Sequence, residues 1–183
     1  MKRAFILGVF LLLWSIPAIG ETTVAEPEGY RLENFRAPVP AGLKGAKVAT
    51  TAQVFEMWNA KSAVFVDAMA RAPKPADLPK RTLWRDAPRS DIPGSIWLVN
   101  TGYGALSEPM QRYFEDGLAQ ATGQDKHKAL VFYCLTECWM SWNAAKRAVS
   151  LGYDDVHWYP DGTDGWEKAG HPLEDKEPAP GFQ

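Results

Sequence analysis

Apolar residues in this chain arrive in short continuous runs, and between the runs they recur at helical spacing. Lys47 to Thr50 predicts a short strand, Ala63-Val-Phe-Val-Asp67 a buried one, and Ile96 to Val99, Ala129-Leu-Val-Phe-Tyr133 and Val156 to Tyr159 three more. Between them, Ala52 to Asn59 carries Val54, Phe55 and Trp58 on one face, with Thr51 as a cap. Glu108 to Ala121 does the same with Met110, Tyr113, Phe114 and Leu118. A third helix from Ser141 or Trp142 to Leu151 repeats Ala144, Ala145, Ala148 and Val149 and meets Gly152 as its stop. Strands alternating with helices predict an α/β fold, a single domain with a central, mostly parallel sheet flanked by helices on both faces.

Punctuation divides the rest. Residues 21–45 hold Pro27, Pro38, Pro40, Gly29, Gly42 and Gly45 without a sustained period, and predict an extended arm or linker ahead of a domain at 46–173. The four prolines within Ala72 to Ser90 predict a long surface excursion, and residues 174–183, polar and Pro-rich, a flexible tail. Met1 to Gly20 has the layout of a secretory signal: basic Lys2 and Arg3, an apolar stretch from Ala4 to Ile16, and Ala18-Ile19-Gly20 before Glu21. The expected location is the periplasm, with no stable membrane span in the mature chain.

Charge then removes one class of partner. Without Lys2 and Arg3, 18 of the 20 basic residues remain against 22 acidic ones, a net −4 with histidines neutral. Basic and acidic residues are interspersed with no basic stripe, so no nucleic-acid partner is expected.

The chain has two cysteines, Cys134 at the end of an apolar run and Cys138 just before a helix. A thiol between strand and helix sits where an α/β sheet builds sites and where free backbone N–H groups favour a thiolate. Three readings are open: a sulfur-handling or redox pair, a soft-metal site, and a structural disulfide. So short a disulfide loop would contribute about 2 kcal/mol on the chain-entropy model.

From Cys134 the chain runs Leu-Thr-Glu-Cys138-Trp-Met-Ser-Trp-Asn-Ala-Ala, then Leu151-Gly-Tyr, Val156, Asp161-Gly162 and Trp166, with Phe65-Val-Asp67 and Ile92-Pro-Gly-Ser95 upstream. In this order the landmarks resemble those of the rhodanese-like domain over about Ala46 to Leu173. The Cys134 to Trp142 run is similar to the exported paired-cysteine-Trp (CXXCW) motif proteins associated with pyrroloquinoline-quinone-dependent alcohol catabolism. The resemblance implies that Cys134 is a persulfide-holding catalytic cysteine, that Leu135, Thr136, Glu137, Trp139 and Met140 belong to an anion-binding active loop, and that a quinoprotein dehydrogenase or its accessory proteins are partners. The sulfur donor and acceptor thiol are not specified.

The pattern departs from that family in three places. The loop is one residue longer than in typical sulfurtransferases. It contains Glu137 and no cation, and like charge at roughly 4 Å costs about 1 kcal/mol even at the dielectric of water, which disfavours a dianionic substrate. It also contains Cys138, placed to resolve a persulfide or mixed disulfide on Cys134.

The remaining candidates are weaker. A soft metal such as Cu(I) would need Met140 or a histidine beside the thiolates, and of His127, His157 and His171 only His157 lies on an element directed toward the site. No metal ligand set is assigned. No resident cofactor is expected either, since Trp139 stands where a haem-attachment histidine would be. Trp139 and Trp142 fit core or lid packing, Asp67 a structural hydrogen-bonding role, and Asp161 to Gly165 a turn rather than a calcium loop.

Overall fold

The computed structural model describes residues 24–182, so the Met1 to Gly20 segment lies outside the described residues. Five strands, β1 (Lys47–Val48), β2 (Val64–Asp67), β4 (Ile96–Trp97), β5 (Leu130–Tyr133) and β6 (Val156–Trp158), form a sheet in the order β1-β6-β5-β2-β4. Every pairing in it is parallel. The helices are α1 (Thr51–Asn59), α2 (Glu108–Thr122), α3 (Trp139–Ser150) and α4 (Gly162–Lys168). Two further strands, β3 (Arg89–Asp91) and β7 (Glu174–Lys176), pair antiparallel as a separate ribbon.

The period-two alternation of side chains splits the core between the two faces of the sheet. Val66, Leu130, Phe132, Val156 and Trp158 meet Phe114 and Leu118 of α2 and Trp142, Ala145 and Ala148 of α3. Phe65, Val131 and Tyr133 point the other way, to Val54 of α1 and Trp166 of α4. The expected α/β architecture is therefore the observed one, with a two-sided sheet whose central strand, β5, leads into the cysteines.

Several local expectations change. The cap of α1 is Thr50, not Thr51, because Thr50 and Gln53 complete a reciprocal capping box, while the Thr51 hydroxyl bonds that of Tyr159. α3 starts at Trp139, earlier than Ser141, with Cys138 as its N-cap. β3 begins at the end of the expected irregular excursion, taking in its Arg89 and Ser90. α4 occupies the stretch read as a turn, where Gly162 and Gly165 obscured the helical period.

The expected flexible tail instead supplies β7, and Ala179 then ties it to the domain. Its N–H donates to the Trp97 carbonyl at 2.8 Å, and its own carbonyl accepts from the Tyr113 hydroxyl at 3.1 Å. The N-terminal arm is also bonded to the domain. Asn143 of α3 accepts from Arg31 N–H and donates to its carbonyl, both at 2.9 Å, while Trp139 and Trp142 donate through Nε1 to the carbonyls of Pro38 and Gly42, both at 3.1 Å. No helix among the described residues is long and apolar enough to cross a membrane.

Candidate functional site

At the carboxyl end of β5 the chain leaves the sheet at Cys134, and the position of that residue is fixed through its carbonyl. Thr163 N–H donates to it at 3.0 Å, the Thr163 hydroxyl at 3.3 Å and an Arg89 Nη2 at 3.4 Å. Gly162 makes this approach possible, since a Cβ there would meet the same carbonyl oxygen at 2.5 Å and the residue has φ +55°. Arg89 is itself held by Asp67 Oδ2 at 2.6 Å and stands 3.2 Å from Asp91 Oδ1. The second oxygen of Asp67 accepts from Met69 N–H at 2.6 Å, which fits the structural role read from its position.

Both cysteines are free thiols and both are buried, Cys134 at 0 % exposure and Cys138 at 2 %. They share a small cluster with Met140, Phe35, Met69, Tyr103 and Leu135. The Cys134 thiol is surrounded by acceptors: the Cys138 carbonyl at 3.5 Å, the Leu135 carbonyl at 3.8 Å and the Cys138 sulfur. Burial, reinforced by the Cys138 sulfur, pushes Cys134 well above the ordinary thiol range. Cys138 moves the other way, down to about 6, because it accepts from Cys134 and, against the cost of burial, is also favoured by the amides of Met140 and Leu135 and by the charge of Arg36.

The loop residues named from the sequence fall into two groups. The backbones of Leu135 and Met140 favour the ionised form of Cys138, although its side chain makes no cap hydrogen bond to α3. Thr136 and Trp139 do not, because the Thr136 N–H donates to Asp164 Oδ2 at 3.0 Å and the Trp139 N–H to the Phe35 carbonyl at 2.8 Å. Glu137 is exposed, with the left-handed φ of +51° that turns the loop, and its carbonyl accepts from Ala37 N–H at 3.2 Å. The Thr136 and Trp139 amides of the loop are thus taken by the protein's own acceptors. Beside it opens a cleft of about 410 Å³ lined by Thr51, Thr136, Asp161, Asp164 and Lys168, whose two carboxylates add to the like-charge argument against a dianion.

Over the loop lies the arm. Phe35 and Ala37 bracket an antiparallel bridge between Arg36 and Cys138, Phe35 stands edge-on to Tyr103 at 5.3 Å, and the Arg31 guanidinium lies 5.1 Å from the Trp139 ring centre. Sequence reasoning missed Phe35, Arg36, Arg89, Asp91 and Asn143. Asn143 alone carried a signal, a polar side chain amid the apolar positions of α3.

His157 is not directed to the thiols, its Nε2 meeting Asp155 Oδ1 at 3.0 Å. His127 pairs with Asp154 and His171 stacks on Phe55. Among the described residues, no three His, Cys, Asp or Glu side chains gather as a metal site.

A family model described as the rhodanese-like domain matches residues 50–169. None of the curated proteins matches the chain. Among solved structures, the chain is similar to EanB in complex with ergothioneine, with 21% identity, TM-score 0.52, and coverage of 78% of this chain and 34% of that one. It is also similar to a thiosulfate sulfurtransferase from Pseudomonas aeruginosa, with 19% identity, TM-score 0.47, and coverage of 73% of this chain and 21% of that one. A polysulfide-sulfur transferase homodimer from Wolinella succinogenes is 15% identical, with TM-score 0.44 and coverage of 73% of this chain and 81% of that one. The chain therefore spans about a third of EanB and a fifth of the Pseudomonas enzyme. Because the family model takes in most of the chain, from the cap of α1 through β5 and the cysteine loop to the end of α4, this protein belongs to the rhodanese-like domain family.

Proposed function

We propose that the domain handles sulfane sulfur or thiol redox chemistry through the Cys134 and Cys138 pair. One observation carries this reading: two free thiols lie against each other between the central strand and α3 of a rhodanese-like domain. A thiolate there attacks a sulfane sulfur, the added sulfur passes to an acceptor thiol, and the second cysteine can release it by closing a disulfide. The secretory-type leader supports action in the periplasm. The Cys138-Trp139 pair supports a role beside a quinoprotein-dependent alcohol-oxidation system, although three residues separate Cys134 from Cys138, one more than the CXXCW name.

A second reading, an accessory binding module for a quinoprotein dehydrogenase with the cysteines as a structural disulfide, is favoured by the burial of both sulfurs under the arm. Intact mass of the mature protein, taken before and after mild reduction and cyanide treatment, separates the two. A cyanide-labile sulfur adduct that disappears when the cysteines are replaced is the expected result. A two-hydrogen deficit that resists reductant and never accepts sulfur establishes the binding module instead.

A further inference from the structure

Both sulfurs are buried beneath the arm, so whatever engages them must first replace it. What the arm does there limits what can take its place. Trp139 N–H donates to the Phe35 carbonyl at 2.8 Å and Ala37 N–H to the Glu137 carbonyl at 3.2 Å, with Arg36 and Cys138 paired between them. These are the two bonds that flank one residue pair of an antiparallel ribbon. The loop from Glu137 to Trp139 is therefore a short sheet edge, and the arm is a strand laid on it.

Moving the arm aside leaves one donor and one acceptor of that edge without protein partners, which costs stability wherever water does not reach them. A small anion satisfies the Trp139 donor alone and faces the Glu137 carbonyl with like charge. An extended peptide satisfies both, as in strand addition to an exposed edge.

The side chains narrow the choice further. Phe35 packs on the cluster that holds both sulfurs, beside Met69, Leu135 and Met140, and stands edge-on to Tyr103 at 5.3 Å. A pocket walled by an aromatic ring and two flexible thioethers suits a large apolar anchor. Around it the charge is negative, since Glu137 is exposed on the loop and the cleft beside it sets Asp161 and Asp164 against Lys168 alone. The arm answers with Arg36 opposite Cys138 and Arg31 at 5.1 Å from the Trp139 ring centre, against a single acid, Glu33, in residues 31–40.

We propose that this edge is the docking site for an extended segment of a protein partner, basic and carrying an aromatic side chain in the place of Phe35, and that residues 31–40 occupy it as an internal competitor. The segment pairs with Glu137 and Trp139, seats its ring against Tyr103 and Met140, and brings the partner's chain across Cys138. This extends both readings of the cysteines, a sulfur acceptor and a dehydrogenase system being alike proteins that must reach the loop. Because the arm is tethered, it competes at an effective concentration of roughly millimolar, and a free peptide binds the intact domain weakly.

The test compares the wild-type mature protein with Phe35→Ala, which weakens the competing arm and leaves the edge intact. The probe is a fluorescein-labelled peptide of residues 31–40, followed by anisotropy. It is expected to bind Phe35→Ala at least about 10-fold more tightly than the wild type. Peptides carrying Phe35→Ala, or Arg31→Glu with Arg36→Glu, should bind the same variant at least about 10-fold more weakly than the parent peptide. Saturating parent peptide should also slow alkylation of Cys134 and Cys138 in the variant toward the wild-type rate, which fixes where it binds.

Absence of binding to the folded variant, equal binding of the three peptides, or binding that leaves the alkylation rate unchanged overturns the proposal. If Phe35→Ala does not fold, Asn143→Ala with a peptide of residues 33–40, which lacks the Arg31 contact to Asn143, makes the same comparison. None of these measurements reads sulfur uptake, so their failure leaves the sulfur-handling reading to its own test by intact mass.

Discussion

Behind Cys134, two carboxyl groups face one guanidinium. Asp91 is 0 % exposed, and neither of its oxygens has a well-directed hydrogen bond among the described residues. Burial and the neighbouring Asp67 push it up to about 9, against the pull of Arg89. The folded protein therefore holds a proton here that the unfolded chain releases above the usual carboxylate range. The resulting stabilisation is complete below that range and is lost as pH rises toward about 9. Asp91→Asn, which carries no such proton, should flatten the fall in stability across the window, where one proton contributes up to about 1.4 kcal/mol per pH unit. Urea unfolding at several pH values, wild type against variant, checks this, and parallel slopes would refute it.

The residue scale is also where sequence and structure diverged most. Cys134 and Cys138 were visible because thiols are few and their place after a buried strand is informative. Arg89 and Asp91 sat among prolines and charges that read as surface, and only the pairing of β3 with β7 carries them inward.

At the scale of elements, α3 faces the sheet with one side and the arm with another, and two substitutions one position apart separate these roles. Trp142 is fully buried in the core, so Trp142→Ala should cost about 3–5 kcal/mol of global stability, read from denaturant unfolding. Asn143 instead bonds Arg31 at N–H and carbonyl and donates to the Gly102 carbonyl at 3.0 Å. Asn143→Ala should loosen the arm, and each ~1.4 kcal/mol lost from its docking should raise the labelling rate of the buried thiols about tenfold. An unchanged labelling rate would show that the arm does not limit access.

The strands β2 and β5 and helices α1 to α3 were legible because their apolar periods are strong. The arm was not. Pro38 and Gly42 present backbone carbonyls at an irregular interval, and their partners, the indole N–H groups of Trp139 and Trp142, lie about a hundred residues away. β7 was hidden for a related reason, since Glu174-Asp-Lys176 has no apolar alternation and is a strand only through its partner.

For the molecule as a whole, the arm adds Leu43 to the core and is tied to α3 across 112 residues at Arg31 and Asn143, about the 110 that separate the paired residues of β1 and β6. What sets the arm apart is that its partners Trp139, Trp142 and Asn143 lie on α3 and are in place only once that helix has packed on the sheet. A refolding protein pulsed with a thiol reagent should therefore gain its core, followed by tryptophan fluorescence, before it protects Cys134 and Cys138. Simultaneous protection would place the arm in the folding nucleus. An arm that docks last gives the cysteine pair a history: for an interval after the domain assembles, both sulfurs stand open to whatever oxidant, sulfur donor or partner is present. The chemical state the arm then encloses is a record of that first encounter.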